Sequence, residues 1–212
     1  MKNVLIIVDV QKDFCPRGNL AVSEGDVIIP LINRLTGSDI FDLIIATQDW
    51  HPKGHISFAS THRMKPFENI KTQYGMQALW PDHCVQGSEG AQLHPLLETA
   101  NIHSIIRKGF RKTIDSYSAF FENDKKTTTG LNGFIKEIMG IEPFSLFIAG
   151  IATDVCVFNT AIDAKKILEY ERVTIAIDAC AGISEQNVNN TIKMLQDANV
   201  NIKTTEEIID EK

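Results

Sequence analysis

Residues 144–163 read FSLFIAGIATDVCVFNTAID. The apolar run from Phe144 to Ala149 looks like a buried strand. It breaks at Gly150, and six residues later Cys156 stands where a helix should begin. Similar runs recur along the chain and alternate with helical patterns. Apolar, β-branched segments predict strands at Val4–Val10, Leu43–Thr47, Ser104–Arg107, Leu146–Gly150, Val173–Ile177 and Asn201–Lys203. Between them, apolar residues at helical spacing predict helices at Asp26–Leu35, Leu131–Met139, Asp154–Leu168 and Glu185–Ala198. Several of the strands are apolar on both faces, as in a parallel sheet covered by helices on each side. The expected fold is therefore α/β, a doubly wound, mainly parallel sheet flanked by helices, with residues 1–212 as a single domain.

One segment departs from that rhythm. From Asp49 to Gly90 the sequence is rich in His, Pro, Gly and aromatics and carries little periodicity, so it reads as a long excursion beyond a strand end. Loops of that length are functional or disordered, and the aromatics and histidines favour function.

Bulk properties limit what the chain can do. It has 212 residues, 43% of them apolar, and a net charge of −6, which suits a folded domain with a real core. That acidic balance, without a basic stripe, argues against a nucleic-acid partner. The apolar run Val4 to Val8 is cut short by Asp9, no cleavage site follows it, and no run approaches membrane-spanning length. Cys15, Cys84, Cys156 and Cys180 are widely spaced and form no CxxC pair, so they are expected as reduced thiols in the cytoplasm.

In an open parallel sheet, chemistry gathers at the carboxyl ends of the strands. Asp9 lies near the end of the first strand, Asp49 and His51 just after the second, Lys108 just after the third and Cys156 after the fourth. A helix N-terminus presents free N–H groups and partial positive charge, which lowers a thiol's pKa and can also hold an oxyanion. Taken singly, Cys156 also reads as a small buried hydrophobe, Asp9 as a loop cap and Lys108 as a snorkelling surface lysine. Taken together they form a nucleophile, a base for its proton, and a cation for the resulting charges.

A second constellation is DWHPKGH, Asp49 to His55. Residues two apart on an extended segment face the same side, so Asp49 and His51 can grip one ion, and His55 and His83 offer further imidazoles. Mixed carboxylate and imidazole donors suit Zn²⁺ or Fe²⁺, with Mn²⁺ as a further choice. These ligands are expected in a loop distinct from the strand ends that carry Asp9, Lys108 and Cys156. Phe14, Trp80 and Tyr117 are candidate walls of a slot for a flat ligand. His62, His94 and His103 are expected as surface or satisfied residues.

Five blocks now stand out: DVQKDFCPRGNLAV, ATQDWHPKGHISFA, LWPDHCVQGSEGAQLHP, RKGFRKTIDSYSAFF and AGIATDVCVFNTAIDA. In order and over nearly the whole chain they resemble the nicotinamidase/pyrazinamidase family of isochorismatase-like cysteine hydrolases. The resemblance implies deamidation of nicotinamide to nicotinate and ammonia, a step in NAD salvage. It also implies a catalytic triad of Asp9, Lys108 and Cys156, with oxyanion donors at the backbone N–H of Ala152 and Cys156. One divalent metal on Asp49, His51 and His83 is implied, His55 being a family position near the metal, together with a cis Ile151–Ala152 peptide and pocket positions at Phe14, Leu20, Trp80 and Tyr117. Val155 stands where some members carry histidine. Three other readings remain: an amidohydrolase acting on another carbamoyl substrate, an isochorismatase-type hydrolase working without the cysteine, and a non-enzymatic metal-binding domain. A homo-oligomer is compatible with the sequence.

Overall fold

The structure, a computed structural model, describes residues 2–140 and 142–211. The elements are β1 (Lys2–Val8), α1 (Ile29–Thr36), β2 (Leu43–Asp49), α2 (Ala59–His62), β3 (Asn69–Thr72), β4 (Gly75–Ala78), β5 (Ser104–Lys108) and α3 (Leu131–Met139), followed by β6 (Phe144–Ile151), α4 (Phe158–Lys166), β7 (Arg172–Ala181), α5 (Glu185–Asp197), β8 (Asn201–Lys203) and α6 (Thr205–Asp210). Among the described residues, six strands form one sheet in the order β5-β2-β1-β6-β7-β8. Every pairing in it is parallel.

The strict alternation of side chains along a strand explains why these strands are apolar throughout. In β1, Leu5 and Ile7 pack on one face with Ile29, Ile32 and Leu35 of α1 and Ile208 of α6. Val4, Ile6 and Val8 pack on the other with Leu131 and Ile135 of α3, Ala161 and Ala164 of α4, and Leu195 of α5. Each such aliphatic side chain contributes about 1.5–3 kcal/mol through burial, and the two layers leave the carboxyl edge of the sheet as the place for polar groups.

Several boundaries differ from the sequence-based expectation. The first strand ends at Val8, before Val10, because Asp9 takes a left-handed conformation with φ of 50°. The strand Phe144–Ile151 does not break at Gly150. It passes through it with φ of 124°, where a Cβ would lie 2.1 Å from the carbonyl oxygen of Val8, so only glycine lets β6 run past β1. Opposite β7 the register shifts between Ile148 and Gly150, and β7 itself continues to Ala181, past Ile177. The helix expected over Asp154–Leu168 is in two parts, a π-helical turn at Thr153–Val157 and then α4. The helix expected from Asp26 starts at Ile29, with Pro30 in its first turn. Within the 49–90 excursion, β3 and β4 form an antiparallel hairpin and α2 adds one turn. No apolar side chain of the hairpin is buried, so no apolar alternation marked it.

Candidate active site

Strand order alone sets the line-up at the carboxyl edge. Lys108 ends β5, Asp49 ends β2, Asp9 follows β1 and Cys156 follows β6, and these four strands are successive neighbours in the sheet. Asp49 and Lys108 are direct register partners. The Lys108 Nζ sits 2.8 Å from Asp9 Oδ2, 2.6 Å from Asp49 Oδ1, 2.8 Å from the Ser116 carbonyl oxygen and 3.8 Å from Cys156 Sγ. Lys108 is fully buried, so it is not a snorkelling surface lysine. Its pKa stands well above the ordinary lysine value, because Asp49, Asp9 and Cys156 together outweigh the opposing effect of burial.

Asp9 is also fully buried, and the Thr47 hydroxyl donates to its Oδ1 at 2.7 Å. Burial pushes its carboxyl up to about 6, against the pull of Lys108. Cys156 behaves differently from the expectation for a helix start. Its thiol is held well above the ordinary cysteine value, first by burial and then by Asp9 and Asp49, with Lys108 opposing them. Desolvation is the largest influence on it. The resting nucleophile is therefore a thiol with a carboxylate base at hand. Ala152 and Cys156 both line the cavity above it, and the Ile151–Ala152 peptide is cis.

The second constellation meets the first. Ligand atoms of Asp49, His51 and His83 lie within 4.8 Å of one another, all buried. His51 turns Nδ1 to the Gly109 carbonyl at 2.8 Å, and His83 turns Nδ1 to the Pro81 carbonyl at 2.7 Å. Those carbonyls fix each ring as the Nδ1–H tautomer and leave Nε2 to coordinate, the usual arrangement for metal-binding imidazoles. Two carboxylates share the single ammonium of Lys108, and the excess negative charge favours a cation. The donor set therefore fits a divalent metal. The position of Gly109 matters: with φ of 63°, a Cβ there would sit 2.4 Å from His51 Cε1. Burial alone would raise the Asp49 carboxyl, but Lys108 and then His51 hold it well below the usual carboxylate range.

His55 stacks on His51, ring centroids 4.3 Å apart, yet both its nitrogens are engaged, Nδ1 by Ser57 Oγ at 2.7 Å and Nε2 by the Ile114 carbonyl at 3.0 Å. It packs behind the donor set and offers no free nitrogen to it. Nor is the set separate from the strand ends: Asp49 is the last residue of β2 and touches Lys108 directly.

All four expected wall residues, Phe14, Leu20, Trp80 and Tyr117, line one cavity of about 110 Å³ with Asp49, His51, His83 and Cys156. It is narrow, largely apolar and sized for a small flat molecule. Asp9 and Lys108 adjoin its Asp49 and Cys156. Sequence reasoning missed several contributors. Phe67, Asp115 and Ile183 also line the cavity. Gln11 holds the Asp49 backbone from both sides, accepting its N–H at 2.8 Å and donating to its carbonyl at 2.9 Å. Thr47 and Gln11 carried a readable signal, being polar residues within or beside otherwise apolar strand ends, whereas Phe67 carried none. His62 and His103 are hydrogen-bonded to backbone, to the Ile56 carbonyl and from the Ile44 N–H.

The chain is similar to known proteins over most of its length. A nicotinamidase of Acinetobacter baylyi is 55% identical over 182 residues, covering 84% of this chain and 81% of the relative. The structure described as Acinetobacter baumanii nicotinamidase pyrazinamidease superposes with a TM-score of 0.90 at 44% identity, over 98% of each chain. PnC1 from L. infantum, solved in complex with nicotinate, superposes at 0.83 with 39% identity, over 97% of this chain and 93% of that one. The isochorismatase domain matches residues 3–207, and the chain belongs to the isochorismatase family.

Proposed function

We propose that the protein is a nicotinamidase, a hydrolase that converts nicotinamide to nicotinate and ammonia through a cysteine thioester, and that it accepts pyrazinamide. The observation that carries this is the cavity itself, where a buried thiol with its carboxylate and ammonium partners adjoins a carboxylate and two imidazoles. An isochorismatase-type hydrolase working without the cysteine has no use for the first group. A mere metal-binding domain leaves it unexplained.

In this reading the carboxamide lies against Cys156 with its oxygen toward the N–H groups of Ala152 and Cys156. Asp9 takes the thiol proton as sulfur adds to the amide carbon, and Lys108 holds the developing charges together. The C–N bond then breaks, Asp9 returns the proton to the leaving nitrogen, and ammonia departs. Asp9 next removes a proton from water, which adds to the thioester. The C–S bond breaks, leaving nicotinate and the restored thiol. Asp49, His51 and His83 would hold a divalent metal, Zn²⁺, Fe²⁺ or Mn²⁺, which would supply a Lewis acid for the pyridine nitrogen. Phe14, Leu20, Trp80 and Tyr117 confine the ring, and holding it in line with the thiol contributes several kcal/mol toward the barrier, on the order of the proximity effects of intramolecular reactions.

We read residues 1–212 as one catalytic domain working in the cytoplasm, with free thiols at Cys15, Cys84, Cys156 and Cys180. Among the described residues no helix is long and apolar enough to cross a membrane. Ammonia release from nicotinamide, compared with a nonaromatic amide and with isochorismate, tests the proposal. Turnover of the nonaromatic amide at the rate of nicotinamide would overturn it.

A further inference from the structure

The β4 strand of the hairpin contributes one fully buried polar side chain, Gln77. Its Nε2 lies 2.9 Å from Asp115 Oδ2, 2.9 Å from the Tyr117 hydroxyl and 2.7 Å from the Ala78 carbonyl oxygen, so one of its two hydrogens is shared between two acceptors. Its Oε1 accepts from the Tyr74 hydroxyl and from Asn123 Nδ2, both at 3.2 Å. The amide cannot turn over, because that would press its oxygen against the Asp115 carboxylate. The Tyr117 N–H in turn donates to Asn123 Oδ1 at 3.0 Å, so backbone and hydroxyl of Tyr117 are tied to the same cluster.

A phenol oxygen has two lone pairs and one hydrogen. At Tyr117 the oxygen receives Gln77 Nε2 and also Trp80 Nε1 at 3.3 Å, and its own hydrogen has no acceptor among the described residues. Tyr117 lines the cavity. With both lone pairs engaged, the hydrogen points away from both donors. We propose that Gln77 is a positioning residue: by donating to the Tyr117 hydroxyl it directs the phenol hydrogen into the cavity, as a fixed donor to an acceptor atom of the bound aromatic amide. Burial and then Asp115 keep the phenol's pKa well above the ordinary tyrosine value, so the hydrogen is present throughout the working range. The inference rests on the function proposed above and adds to it a hydrogen-bond donor whose direction is set from outside the cavity, by the hairpin.

The test measures kcat and KM for nicotinamide, by ammonia release, on the metal-loaded full chain as wild type, Gln77→Met, Tyr117→Phe and the double variant. Loss of one oriented hydrogen bond of roughly 1.4 kcal/mol corresponds to a factor of about ten. Each single variant should raise KM about tenfold with kcat within about twofold, and the double variant should be no worse than either single. A KM for Gln77→Met within about twofold of wild type overturns the proposal. So does a double variant whose loss equals the product of the singles, since Gln77 would then act as a brace independent of the hydroxyl. Should Gln77→Met fail to fold, Tyr117→Phe leaves the hairpin contacts of Gln77 with Asp115 and Asn123 intact, and an unchanged KM there overturns the proposal equally. A wild type that releases no ammonia would instead remove the proposed function, and this inference with it.

Discussion

Replacing Lys108 with methionine keeps most of the stem and removes the charge. In the wild type that ammonium contacts two buried carboxylates, at 2.8 and 2.6 Å, and stands 3.8 Å from the thiol. Removing one partner of a buried ion pair costs about 3–5 kcal/mol, mostly for the charge left behind. For a chain of this size each kcal/mol lowers Tm by about 2–4 °C, so the variant should melt roughly 6–20 °C lower at pH 8. The loss should shrink in acid. Burial already holds Asp9 at about 6 despite Lys108, and Asp49 is held low chiefly by that lysine. Without it both carboxyls shift upward, above their unfolded values, so the folded variant takes up protons that the unfolded chain does not. The destabilisation is complete above those raised values and is relieved as the pH falls through them. Thermal unfolding followed by circular dichroism at pH 8 and pH 5, on wild type and variant, should show a clearly smaller gap at pH 5. Ammonia release should fall by at least about a hundredfold at either pH. An equal Tm loss at both values would refute the reasoning, because it would mean that the carboxylates do not depend on Lys108.

Cys156→Ala should abolish ammonia release while the melting curve and metal content stay near wild type, and Cys156→Ser should be nearly as damaging; turnover close to wild type in either would exclude a thioester. Asp9 must be ionised to take the thiol proton, so kcat/KM should fall as the pH drops through about 6, and a profile flat from pH 8 down to 5 would assign the base elsewhere. Stripping the metal, or His51→Ala, should depress nicotinamide turnover far more than turnover of benzamide, which has no ring nitrogen to ligate; equal losses would give the metal a different task.

The alternation of apolar strands and helices was legible because burial on both faces leaves a continuous signal in the sequence. The positions of Cys156, Asp9 and Lys108 followed from one topological rule about strand ends. What the sequence could not carry was register. Asp49 and Lys108 meet because β2 and β5 pair at that offset, and this contact joins two groups that looked separate along the chain. The state of the thiol was hidden for a related reason: a helix start is visible locally, but the desolvation that overrides it comes from every element packed around Cys156. Gln77 sits in a hairpin without apolar alternation, and three of its five partners, Asp115, Tyr117 and Asn123, come from a distant segment. By contrast, α6 was missed despite a written signal, since Thr204 and Glu207 form a capping box at its start.

The strand order has a consequence for the chain as it is made. Positions 9, 49, 108 and 156 are far apart in sequence and become neighbours only when β5, β2, β1 and β6 have paired side by side. The base and the cation that equip Cys156 for attack are thus supplied by the pairing of separate strands, none of which carries more than one of these groups at its end. A partly synthesised or partly unfolded chain carries an ordinary cysteine, no more reactive than any other. Amide-cleaving chemistry therefore comes into being together with the finished sheet, and the nucleophile is never exposed in an armed form to the crowded surroundings of a nascent polypeptide.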